Sequence, residues 1–312
     1  MVFDRHTLII PDNTIFHDSY METTGDVIIG DRSLVQFGIK TDGRIFIGEH
    51  AIIDGDLEAT SDIRIDIFSR IGGKVKSDGN VYLGEKVNVD GKLSVTGDLD
   101  VGDSVEIKDG FEAKGWINIR SPIPMIIYIF IYLTQLLKMG HSEEIERILK
   151  ELEETDEASI PISEVFLFIP NNAIMGLKKI KIEGDTRIGK KSLILGNIYG
   201  KGSILVSNEA IVKGCLFSDD EIYLGKKIRI EGSLQAQKTI RIDEQTEIHG
   251  NIKAQKIFLS KTVKTTGTLF SDEGTTFIDP YDYHADESLR RFEEDLNYVE
   301  PMNEPLEHES YE

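Results

Sequence analysis

The sequence predicts a mainly β fold: a parallel β-helix, or β-solenoid, of 18-residue coils in two stacks with a helical insert between them. Three observations carry this. Aliphatic residues recur at a step of 18, polar and apolar residues alternate within each strand-like stretch, and glycines return at fixed places in the coil. Self-similarity at a fixed period marks a stacked array, in which no unit can bury its apolar face without a neighbour.

The principal ladder is Val27, Ile45, Ile63, Val81, Leu99 and Ile117. Ile29, Ile47, Ile65, Leu83, Val101 and Ile119 keep the same step, so each coil opens with a short strand whose first and third residues point inward. A second ladder, Val35, Ile53, Ile71, Val89 and Ile107, and a third, Ile39, Leu57, Val75, Leu93 and Phe111, supply two more sides. Gly30, Gly48, Gly84 and Gly102 follow the first strand, and Gly55, Gly73 and Gly91 sit beside the second ladder, at corners needing positive φ or close backbone approach. The same grammar returns with Ile204, Ile222 and Ile240, and then Ile257 after a step of 17. The expected boundaries are a lead-in over 1–24, one stack over 25–120, the insert over 121–179, a second stack over 180–270 and an acidic, mobile tail over 271–312. At about 4.8 Å per strand, each stack should be about 25 Å long.

The insert breaks the period. Ser121-Pro122-Ile123-Pro124 reads as a helix start. The run Met125, Ile126, Ile127, Tyr128, Ile129, Phe130, Ile131, Tyr132 and Leu133 has no charged residue, and the uncharged stretch continues to Leu137, so the segment needs burial in protein or lipid. Three readings are open for it: a membrane span, for which it is shorter than the roughly 20 residues required; insertion into one leaflet; or packing over the open ends of the stacks. Ser142-Glu143-Glu144-Ile145 then starts an amphipathic helix with Ile145, Ile148, Leu149 and Leu152 on one stripe. Val165 to Ile169 is an extended piece that restarts the solenoid.

Composition narrows the function. A net charge of −20 is the wrong sign for nucleic acid, which needs a basic stripe. The single cysteine, Cys215, excludes an intramolecular disulfide and suits a reducing compartment. The start, Met1-Val2-Phe3-Asp4-Arg5, carries no secretory signal pattern, so the expected location is cytoplasmic, with the uncharged segment allowing a peripheral position at the inner face of the membrane. His6, His17, His50, His141, His249, His284 and His308 form no metal-spacing pair, and no phosphate loop or nucleophile elbow is present. Asp42, Asp62, Asp78 and Asp98 recur with the repeat, as an exposed edge does. The expectation is no catalytic, cofactor or metal site, and no small-molecule substrate.

Gly43-Arg44-Ile45-Phe46-Ile47-Gly48, Ile53-Asp54-Gly55-Asp56-Leu57-Glu58-Ala59 and Ile230-Glu231-Gly232-Ser233-Leu234-Gln235-Ala236 resemble the repeating grammar of bactofilins. The resemblance covers about 25–119 and 186–270. It implies a cytoskeletal scaffold whose β-helical core assembles end to end into nucleotide-independent filaments, often at a membrane, with self as the partner and lipid as a second contact. The chain departs from the family's single uninterrupted core, and its apolar stretch is internal rather than N-terminal. Hexapeptide-repeat acyltransferases are similar in period, but their small residue four places after the aliphatic one is replaced here by Leu57, Ile63, Val75 or Leu93, and no catalytic histidine is identifiable. A non-polymerising platform at the membrane surface is the third reading.

Overall fold

The computed structural model describes residues 6–120 and 163–278, all within one compact unit. The described residues contain 38 short strands, β1 to β38 in chain order, and no helix. The strands form three long sheets: sheet A with 14 strands, and sheets B and C with 12 each. Each 18-residue coil contributes one strand per sheet, as in β7 (Ile45–Ile47), β8 (Ile52–Ile53) and β9 (Leu57–Ala59).

Register explains the period. Val27, Ile45, Ile63, Val81, Leu99 and Ile117 lie directly opposite one another up sheet A, as do Ile204, Ile222, Ile240 and Ile257. Parallel in-register pairing places each residue over its equivalent, so a position that is inward once is inward in every coil. The inward side chains merge into a single core running the length of the molecule. Ile117 alone of these ten is largely exposed, because its coil is the last at that end.

The glycine corners are places of close approach. A Cβ on Gly232 would lie 2.4 Å from the Gly214 carbonyl oxygen, and one on Gly250 would lie 2.4 Å from that of Gly232. The left-handed corners are held by other residues, including Arg32, His50, Phe68 and Lys86 at φ 55, 55, 59 and 56°. The glycines expected to answer either need therefore answer the second.

Four expectations are corrected. The halves are not separate stacks, because all three sheets run through both. In sheet A, β4 (Asp26–Ile29) pairs in parallel with β20 (Phe166–Ile169), β20 pairs antiparallel with β1 (Leu8–Ile10), and β1 pairs in parallel with β23 (Thr186–Ile188). The opening strand of each half thus lies on the other half. The chain then reverses through hairpins. Phe16 of β2 (Ile15–Phe16) faces Met21 of β3 (Tyr20–Thr23), and Met175 of β21 (Ile174–Met175) faces Ile180 of β22 (Lys179–Ile182). Ile9 faces Phe168 across the seam, and the same step of 159 residues relates Pro11 to Pro170, Asn13 to Asn172 and Ile63 to Ile222. The molecule is a pseudo-twofold pair fused at its N-terminal coils. Every residue of β1 and β20 is buried, so the seam is enclosed on both faces of sheet A.

The helical insert is the second correction. The extended piece expected at Val165 to Ile169 is β20, and residues 170–179, placed in the insert, form strands and turns of the solenoid, not a helix, because their apolar residues cap the N-terminal half. Residues 121–162, with the Met125 to Leu133 segment and the expected amphipathic helix, lie outside the described residues. The lead-in also belongs to the solenoid through β1 to β3. The acidic tail starts later than expected, since β37 (Leu269–Ser271) and β38 (Thr275–Ile278) extend the sheets.

Candidate functional site

The sides of the solenoid are occupied by structural contacts. Carboxylates of the corner column accept backbone N–H groups from the next coil: Asp62 from Asn80 at 2.7 Å, and Asp98 from Trp116 at 2.8 Å. Asn80 bridges the gap by accepting from the Asp98 N–H at 2.8 Å. Asp42 accepts from the Gly25 N–H at 2.7 Å and Asp56 from the Lys74 N–H at 2.7 Å. Of the recurring acids, Asp42, Asp62 and Asp98 are thus rungs of a hydrogen-bond ladder that satisfies turn N–H groups, and Asp78 is an exposed edge residue as expected. Sequence reasoning missed this; the signal was the return of Asp62, Asn80 and Asp98 at one coil position.

The histidines take separate positions. His17 stacks on Tyr20 with ring centroids 4.4 Å apart, and His50 stacks on Phe68 at 4.9 Å. His249 is exposed, and His141, His284 and His308 lie outside the described residues. Among the described residues no cluster of three or more His, Cys, Asp or Glu side chains could hold a metal ion, and no helix is long and apolar enough to cross a membrane.

One buried ion pair stands at the seam. The Asp26 side chain, 3% exposed, receives the Arg44 guanidinium, with Arg44 Nε 3.1 Å from Asp26 Oδ1. Asp26 also accepts the Ser163 N–H at 3.0 Å and the Arg44 N–H at 3.0 Å. Burial pushes the carboxyl up; the guanidinium and these N–H donors outweigh it and hold Asp26 below the usual carboxylate range. The pair fastens the N-terminal half to the point where the chain returns at Ser163.

The free ends differ from the sides. One ends in β17 (Glu106–Ile107), β18 (Phe111–Ala113) and β19 (Ile117–Ile119), the other in β36 (Lys264–Thr265), β37 and β38, and among the described residues each of these strands is last in its sheet. Apolar residues cluster there in the open. Trp116 is 85% exposed and Ile119 71%, with Phe111 and Ile117 beside them; Phe270 and Phe277 occupy the other end at 53% and 61%. An unpaired strand edge over an apolar interior is a template for another chain. The end ladder residues Phe111, Ile117 and Ile119 were expected in the core, and the structure places them at this rim.

The described residues thus form a three-sided solenoid with a continuous aliphatic core, coil-to-coil contacts along its sides and exposed apolar residues at both ends. Residues 170–269 match the family model described as bactofilin, polymer-forming cytoskeletal, and the chain is bactofilin-like. At the 159-residue step, which falls to 158 after the 17-residue coil before Ile257, the matched stretch corresponds to 11–111, so the N-terminal half carries the same architecture coil for coil. No curated protein and no solved structure gives a match.

Proposed function

We propose that this chain is a non-enzymatic scaffold that polymerises through its two free ends without nucleotide. The exposed apolar rim at both ends, bounded by unpaired strand edges, carries the reading. Both N-terminal coils are consumed in the seam, so each end-to-end joint brings together C-terminal coils, and a filament of such joints has no overall polarity. Sedimentation of the full chain in nucleotide-free buffer tests this. Wild type should pellet, while Trp116→Glu and Phe270→Glu together should stay in the supernatant with unchanged circular dichroism. Pelleting of the double variant would overturn end-to-end assembly.

Contact with lipid through Met125 to Leu137 is the second element of the proposal, supported by a stretch without charge in an otherwise acidic chain. Flotation with vesicles should require that segment; flotation by a chain with Ile127 and Ile131 changed to Asp would contradict it.

A further inference from the structure

Up the outer face of sheet B, one outward residue per strand forms a row whose register is Glu58, Lys40, Glu22, Ile15, Leu193, Ile211, Arg229, Glu247, Lys264. At the centre sits an apolar triplet, with Ile15 and Ile211 each 38% exposed and Leu193 half-buried between them. The flanks are antisymmetric about Leu193. Two steps away stand Glu22 and Arg229, three steps away Lys40 and Glu247, and four steps away Glu58 and Lys264. Every position on one side carries the charge opposite to its mirror on the other.

We propose that this face docks a second copy of the chain, antiparallel, about a twofold axis at Leu193. That operation sets Leu193 against its own counterpart and Ile15 against Ile211. It also brings Glu22 to Arg229, Lys40 to Glu247 and Glu58 to Lys264, each of them twice because the interface is isologous. The row spans eight strand steps, about 38 Å.

Sheet C provides the control. The pseudo-twofold places the equivalent triplet there, Ile174, Leu34 and Ile52, and Ile52 is 42% exposed. Its flanks at two steps are Lys181 and Arg70, so the same operation would oppose like charges. Self-docking is thus written into one face and out of its mirror. A single strip of this width is small for a stable dimer. Repeated along a polymer, the contacts act together, and the expected product is paired filaments. The surface is separate from the free ends, and its product, paired filaments, rests on the end-to-end polymer proposed above, whereas capture of the contact as a disulfide dimer does not.

The test uses the full chain with Cys215→Ser, which keeps a hydrogen-bond acceptor where Cys215 Sγ receives the Ser233 N–H. Leu193→Cys should form disulfide dimers under mild oxidation, and Leu34→Cys, its sheet C equivalent, should not. Adding Arg229→Glu should cut the dimer yield about tenfold by reversing two symmetry-related pairs, and adding Glu22→Arg as well should restore it. Equal yields from Leu193→Cys and Leu34→Cys, or no recovery in the doubly reversed chain, would overturn the proposal. Sheet C bridging more strongly would assign docking to the other face.

Discussion

Replacing Leu167 with alanine probes the seam directly. Leu167 is fully buried in β20 and lies in register with Val27 of the other half, so its side chain fills the core where the two halves meet. Truncation removes three carbons, about 2.4 kcal/mol of transfer free energy at about 0.8 kcal/mol each. The closed strands on either side cannot collapse into the gap, and the remaining cavity brings the expected loss to about 3–4 kcal/mol. Urea denaturation followed by far-UV circular dichroism measures it, with Val165→Ala as the half-exposed neighbour expected to cost under about 1 kcal/mol. A loss at Leu167 no larger than that at Val165 would refute the exchange of opening strands.

Three further outcomes follow from the packing. Gly232→Ala puts a methyl group 2.4 Å from the Gly214 carbonyl oxygen and should cost about 1–3 kcal/mol, read as a lowered melting temperature with the fold retained. Ile222→Asp buries an unpaired charge in the continuous core and should cost several kcal/mol, enough to unfold the C-terminal half in limited proteolysis. Asp26, with its folded pKa held below the ordinary value of 3.8, contributes stability that is fully present above that value and lost as pH falls through the folded pKa. Asp26→Asn should therefore be less stable at neutral pH, with the difference from wild type shrinking in acid titration followed by far-UV circular dichroism.

The coil was legible in the sequence because the fold repeats one environment. Once parallel register fixes Val27 over Ile45, every aliphatic residue at that step must be inward, and the pattern can be read without coordinates. The seam was not legible in that way. Leu8 to Ile10 and Phe166 to Ile169 are each apolar throughout, since both strands are buried on both faces, and such a run names no pairing partner. Their mates lie on the opposite half, beyond any local period. The recurrence of Leu8-Ile9-Ile10-Pro11 as Leu167-Phe168-Ile169-Pro170 is the signal that relates them. The outward charges on sheet B were equally hidden. Their meaning depends on Ile15 standing beside Leu193, a neighbour the exchange supplies.

Cryo-electron microscopy of the full chain assembled without nucleotide tests the central claim, one continuous solenoid joined through its ends. The account predicts unbranched filaments with a layer line near 4.8 Å along the axis and a unit of about 67 Å, the height of the 14 strands in sheet A. Discrete particles of fixed size, or filaments whose strands lie along the axis instead of across it, would contradict it.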